Sequence, residues 1–249
     1  MRYFIEISYH GQAYHGWQIQ KNAHTVQEEL NQALKTLFRS EVETVGSGRT
    51  DAGVHALQQF CHLDLAMELD IQASRKRLNS ILPSDIAVNA IYRVPSNAHA
   101  RYDAVSRSYR YYVNRTKDPF QQYTSYRYWE KLDVGLMNKA CLELVGERDF
   151  KSFSKVNTSV AHFRCQLTQA KWVLDNEAYT FYVSANRFLR GMVRSLVGTL
   201  MDLGTGKTSI DQFREIVESG DRTRAGRSVP PQGLFLTTIQ YPEGLLNKA

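Results

Sequence analysis

The order in which hydrophobic periodicities change along the chain limits its fold more than any other feature. Tyr3 to Tyr9 alternates like a strand. Val26, Leu30, Ala33, Leu34, Leu37 and Phe38 then share one helical face, behind a Thr25-x-x-Glu28 capping signature. Val42 to Val45 and Leu57 to Leu65 return to strand character, Ile71 to Ile81 reads as a helix stopped by Pro83, and Ile86 to Val94 as a strand. The second half repeats the order. Ser108 to Asn114 is a strand with Tyr109, Tyr111 and Val113 on one face and Arg110 and Tyr112 on the other. A helix opens at Asp133 with Leu136, Met137, Ala140, Cys141 and Leu144 inward, and Leu167 to Leu174 and Tyr179 to Ala185 form a hairpin about Asp175-Asn176-Glu177. Asn186 is expected to cap an apolar helix running to Leu203, Ser209 with Gln212 to cap another, and Gly233 to Ile239 to close the chain as a strand.

This order is the pattern expected of an α+β fold built from two similar units within one chain. The expected domains are 1–104, carrying the glycine loop described below, and 105–249. The repeat is one of element order and not of residue identity.

Composition excludes several classes. A hydrophobic share of 43% with 22% charged residues is ordinary for a globular chain. No stretch approaches the roughly 18 apolar residues of a membrane span, and because the N-terminus already alternates like a strand no export signal is expected. Cys61, Cys141 and Cys165 are far apart and form no Cys-x-x-Cys pair, so a reducing cytoplasm is expected and neither a disulfide frame nor a zinc site. The seven histidines show no metal-binding spacing. The net charge of +6 points to a polyanionic partner. From Arg93 to Arg127 there are seven Arg or Lys against two Asp, and seven of the fourteen tyrosines lie between Tyr102 and Tyr128. Cations contact phosphates and aromatic faces stack on unpaired bases, while tyrosine is also simply a good strand former.

Three stretches bear on chemistry. Gly204-Thr-Gly-Lys-Thr-Ser209 imitates the end of a phosphate-binding loop, but Met201 stands where that pattern needs its first glycine, and the segment follows a helix. It reads as a helix C-terminal turn. On the preceding helix, Arg187, Arg190 and Arg194 are expected to follow one another at spacings of three and four. Arg194 sits among Val193, Leu196 and Val197, and a partly buried arginine wants a carboxylate. The remaining motif is Val45 to Ala56, VGSGRTDAGVHA, whose glycines present a single Asp51. Such loops let backbone approach a ligand closely, and a guanidinium keeps a nucleophilic Asp ionised. Asp is equally a favoured turn residue, so residue chemistry by itself leaves both readings open.

GSGRTDAGVHA resembles the signature of the TruA family of tRNA pseudouridine synthases. The resemblance extends through YHGWQ (Tyr14 to Gln18), TVQEEL (Thr25 to Leu30), LPSDI (Leu82 to Ile86), HARYDA (His99 to Ala104), RSYRYYV (Arg107 to Val113), RDFKSF (Arg148 to Phe153), NRFLRGMVR (Asn186 to Arg194) and Gly233-Leu234. Ser47 and Tyr102 depart from the frequent alanine and phenylalanine. The resemblance implies that the mostly antiparallel sheets of the two units join into one extended sheet completed by the last strand, with helices on one side and a basic RNA-binding cleft. It further implies conversion of uridine to pseudouridine at positions 38, 39 and 40 of the tRNA anticodon stem-loop, by base flipping, with no cofactor and no metal. It implies Asp51 as the nucleophile, attacking ribose C1′ or uracil C6, and Arg194 as its ion-pair partner. Tyr109 would stack on the uracil and handle the C5 proton, Arg49 would help flip the base, and Leu234 would wall the pocket. Arg107, Arg110, Arg187 and Arg190 would contact the RNA backbone, and tRNA would be the partner of a homodimer.

Overall fold

The computed structural model describes residues 1–156 and 160–246. Its contacts group the chain into two compact units, Met1–Ser106 with Leu236–Ala249, and Arg107–Phe235. The α+β class and the mostly antiparallel pairing hold in both.

In the first unit, β1 (Arg2–Tyr9) lies between β3 (His55–Asp64) and β4 (Ile86–Val94), antiparallel to both. Registers pair Ile5 with Cys61 on one side and with Ile91 on the other. Tyr3, Phe4 and Ile5 are all buried, so β1 is covered on both faces at its centre. On the Phe4 face, the Tyr241 ring meets Phe4 edge-on at 5.3 Å and Phe60 at 5.1 Å, and its hydroxyl donates to the Ala100 carbonyl at 2.6 Å. Helices α1 (Val26–Phe38) and α2 (Ile71–Ile81) bury Val26, Leu30, Ala33, Leu34 and Leu78. Thr25 Oγ1 accepts the Glu28 N–H at 3.4 Å, as its capping role requires, and Asp70 caps α2 through the Ala73 N–H at 2.9 Å. The strand expected over Val42 to Val45 contracts to a two-residue β2, Val45–Gly46, paired to His62 and Cys61 of β3. Thr44 upstream is instead tied to α1, by Gln27 and by Asn31 at 2.7 Å.

His62 makes this unit acid-sensitive. Its ring is buried, its Nδ1 accepts the Ala100 N–H at 3.2 Å, and it meets the His99 ring edge-on at 4.6 Å. Burial, aided by the Arg2 charge and then by His99, lowers its pKa to about 4. An unfolded histidine takes its proton near 6.5. Between those values the unfolded chain binds more protons, so stability falls as pH drops from about 6.5 to about 4. Urea midpoints across that window should fall for the native chain and fall less for His62→Gln. Equal slopes for both proteins would refute the assignment.

The second unit orders its strands β5 (Ser106–Asn114), β9 (Ala178–Ala185), β8 (Arg164–Asp175) and β7 (Gly146–Asp149), all antiparallel, with a short β6 (Tyr126–Arg127) parallel to β5. The β8–β9 hairpin turns where expected, with Asn176 at φ 52° in the left-handed region. Helix α3 (Val134–Leu144) buries Met137, Ala140, Cys141 and Leu144, and Asp133 caps it through Leu136 N–H at 2.8 Å. Helix α5 (Ile210–Ser219) opens with a complete capping box from Ser209 and Gln212. Strand β10 (Leu234–Gln240) leaves this unit and enters the first.

Helix α4 is shorter than its hydrophobic pattern predicts. It spans Met192–Gly204 and not Asn186 to Leu203. Gly191 is its N-cap, at φ 71°, a left-handed conformation that ends any helix approaching from Asn186. Asn186 is engaged elsewhere, its Oδ1 accepting the Gln166 N–H at 2.9 Å. Arg187 and Arg190 therefore precede the helix, and only Arg194 of the expected arginine row lies on it. At the far end, Gly204 to Ser209 is the helix C-terminal turn, with Gly206 at φ 75° and Lys207 3.3 Å from Glu130.

Candidate active site

The loop from Val45 to Ala56 is held much more firmly than its composition implies. Ser47 N–H donates to Phe60 O at 2.8 Å, and its side chain bonds Gln59, which in turn reaches Gly48 O at 3.2 Å. Thr50 Oγ1 shares a buried hydrogen bond of 2.8 Å with the Tyr9 hydroxyl. After the aspartate, Gly53 N–H donates to Tyr14 O at 3.1 Å and Val54 N–H to Asp51 O at 3.2 Å. Ser47, Thr50, Val54 and His55 are buried, Asp51 is half-buried, and Arg49 is exposed. Asp51 is thus carried on a short segment fixed on both sides, from which the Arg49 side chain is exposed.

The clamp is the segment of residues 9–17, whose YHGWQ motif has no assigned role in the sequence reading. Gly16, at φ 91°, lies against this loop so closely that an added Cβ would collide with the Thr50 carbonyl. Trp17 N–H donates to the same carbonyl at 3.4 Å, and the Trp17 ring fills the space that a side chain at Gly46 would need. His55 belongs to the clamp too. Its Nδ1 accepts Gly11 N–H at 3.0 Å, which ties residues 9–17 to the end of the loop. Gly16→Ala should therefore cost about 2 kcal/mol or more, from left-handed strain and displaced backbone. Urea denaturation checks this, and an unchanged midpoint would contradict it.

The residues singled out in the second unit are held by the second unit's own contacts. Tyr109 pairs in register with Val183 on β9 and meets the Phe188 ring edge-on at 5.1 Å. Arg194, in the first turn of α4, donates from Nε to Val229 O at 2.7 Å, and Val229 N–H returns a bond to Arg194 O at 3.2 Å. The strap before β10 thereby fixes the guanidinium's orientation. Tyr111 braces the same strap, donating to Pro230 O at 2.7 Å. Burial raises the Tyr111 hydroxyl well above its usual range against the opposing pull of Arg194, so it stays a donor. This strap carries no periodicity, and sequence reasoning singled out only its Gly233-Leu234 end. Leu234 is buried at the start of β10.

The four arginines expected at the RNA backbone do not form one surface. Alternation along β5 sets Arg107 with Tyr109 and Tyr111 on one face, and Arg110 on the other, over the Tyr182 ring at 5.2 Å. Arg107 donates to Asn186 O at 2.8 Å, Arg187 lies 3.4 Å from His162, and Arg190 is exposed before α4. Among the described residues no group of three His, Cys, Asp or Glu could hold a metal ion, and no helix is long and apolar enough to cross a membrane. The three cysteines are buried, and burial pushes the Cys141 thiol up to about 12 and Cys165 to about 11, so neither is a thiolate at neutral pH.

These features find their match among known proteins. A family described as tRNA pseudouridine synthase matches residues 6–103 and 140–242. The tRNA pseudouridine synthase A of Bacteroides fragilis is 46% identical over 244 residues, 97% of this chain and 97% of that protein. That of Parabacteroides distasonis is 46% identical over 245 residues, covering 98% and 97%. That of Porphyromonas gingivalis is 45% identical over 248 residues, covering 98% of each. With the matched family covering both the clamped Asp51 loop and the Arg194 helix, the chain belongs to the tRNA pseudouridine synthase family.

Proposed function

We propose that this enzyme isomerises uridine to pseudouridine in tRNA, at positions 38, 39 and 40 of the anticodon stem-loop, with Asp51 as the nucleophile. The observation that carries the reading is the clamped loop: Tyr9, Tyr14, Gly16 and Trp17 fix Thr50 and Gly53 on either side of the half-buried Asp51, so the segment that bears the carboxylate is preorganised as a catalytic loop must be. The reaction breaks the C1′–N1 bond and forms C1′–C5. C5 loses its proton, N1 ends protonated, and no electrons leave or enter. It asks for a nucleophile, a proton acceptor near C5 and a means of extracting the base from its stack.

Arg194, already oriented by Val229, supplies the counter-charge to Asp51. Tyr109 stacks on the uracil and handles the C5 proton, Leu234 gives the pocket an apolar wall, and exposed Arg49 enters the space left by the flipped base. No cofactor takes part. The motif resemblance together with the local geometry described above supports these residue roles, and the resemblance supports a homodimer of the cytoplasm as the active form. Release of the C5 hydrogen from tRNA labelled at uridine C5 tests the reading directly, and a tRNA that keeps its label with active-concentration enzyme overturns it.

Arg107, Arg187 and Arg190 add charge for the phosphate backbone. Affinity for tRNA should therefore weaken roughly tenfold or more between 50 and 200 mM salt. Filter binding across that range measures it, and a flat response would remove the basic surface from the account.

A further inference from the structure

The second unit carries a concavity of about 390 Å³ that the proposed isomerisation does not use. Tyr126, Tyr128, Trp129, Glu130, Asp202, Lys207 and Arg227 line it. Its floor and walls are unusual for a solvated surface. Trp129 is 70% exposed, while its ring lies nearly parallel to that of Tyr128 at 6.2 Å. Tyr126 stands 5.8 Å from Tyr128, with the Arg227 guanidinium over its ring at 6.0 Å and bonded to its hydroxyl at 2.8 Å. Glu130 is taken up by Tyr128 at 3.0 Å and by Lys207 at 3.3 Å.

Asp202 is different. Hydrogen bonds from Lys207, Thr208 and Thr205 end on its backbone carbonyl, and among the described residues no hydrogen bond or ion pair ends on its carboxylate. Burial raises its pKa, against the pull of Lys207 and Arg227. A partly desolvated carboxylate without a donor is costly unless something supplies one.

We infer that this concavity is a second nucleotide subsite that holds an unpaired guanine of the RNA substrate, stacked on Trp129 and read by the Asp202 carboxylate. Guanine alone among the four bases presents two adjacent donors, N1–H and N2–H, which one carboxylate accepts together. Adenine and cytosine offer a donor beside an acceptor, and uracil a donor between two acceptors. Arg227 and Lys207 supply charge for the attached phosphate, and aromatic stacking supplies the affinity. The identity of the ligand as RNA rests on the proposed function, whereas the guanine-reading geometry does not.

Tryptophan fluorescence gives the test without any need for catalysis. Trp17 and Trp172 are 2% and 1% exposed, so Trp129 is the accessible fluorophore. Guanosine 5′-monophosphate should quench the full-length protein at a concentration about fivefold or more below that needed for the adenosine, cytidine or uridine monophosphates. Trp129→Phe should remove the response, and Asp202→Asn should remove the preference while leaving some quenching. No quenching, equal quenching by all four nucleotides, or a guanine preference that survives Asp202→Asn each overturns the subsite. In the isomerase assay, Trp129→Ala should raise KM for tRNA about fivefold or more, with the larger effect on KM than on kcat. If the native enzyme forms no pseudouridine while the guanosine nucleotide still quenches, the proposed function fails and the subsite stands. Full turnover with no quenching leaves the function standing and removes the subsite.

Discussion

Asp51→Asn is expected to abolish release of the uridine C5 hydrogen from tRNA, on the order of a thousandfold or more, while tRNA affinity stays within a few-fold. The size follows from the role. A covalent catalyst that loses its nucleophile retains only what binding and positioning supply, and groups acting as one unit fall together. Retained affinity follows from geometry. Asn matches Asp in shape, and the loop is held through Ser47, Thr50, Gly53 and Val54 and not through the Asp51 side chain alone. A C5-hydrogen release assay and filter binding on the same preparation separate the two effects. Turnover within tenfold of native would remove Asp51 from the chemistry, and loss of both activities would mean that the loop had collapsed.

Arg194→Met should lower turnover nearly as far, by about a hundredfold or more, because an arginine has two duties here. It holds the strap through Val229 O, and it supplies the positive charge the proposal gives to the nucleophile. Arg194→Lys separates these duties. Lysine restores the charge without the planar fork, so it should recover only part of the lost rate. Full recovery by lysine would show that charge without orientation is enough. A methionine variant as active as the native enzyme would contradict both duties. Circular dichroism of each variant checks that α4, whose buried face is Leu196, Val197, Leu200 and Leu203, still forms.

The sequence disclosed most where a local signal and the tertiary structure agree. Helices α1 and α3 start at Thr25 and Asp133 because those side chains cap them, and α2 stops before Pro83 because the residue preceding a proline avoids helix. The β8–β9 hairpin turns at Asn176 for the same kind of reason. Helix α4 shows how a local signal misleads. Asn186 looks like a cap and Arg187, Arg190 and Arg194 fall at helical spacing, yet Asn186 is spent on Gln166 of the neighbouring strand, and Gly191 takes the left-handed conformation that restarts the chain. Neither fact has a periodic signature.

The site was legible to a similar degree. The Asp51 loop stands out as glycines around one acid, and Arg194 as a cation on an apolar turn. Three things were hidden. One is the clamp, because Gly16 matters through its approach to Thr50, a contact between residues far apart in sequence. Another is the strap through Val229 and Pro230, which is irregular backbone that orients Arg194 and is braced by Tyr111. The last is the start of β5 at Ser106, two residues before the expected Ser108, which brings Arg107 onto the Tyr109 face, opposite Arg110.

Incubating the purified native chain with an unmodified tRNA transcript and mapping pseudouridine along it tests the central claim most directly. The account predicts pseudouridine at whichever of positions 38, 39 and 40 carry uridine, formed without added metal or cofactor, and none in the Asp51→Asn reaction. Pseudouridine confined to other positions, or formed equally by the Asp51→Asn protein, would contradict it.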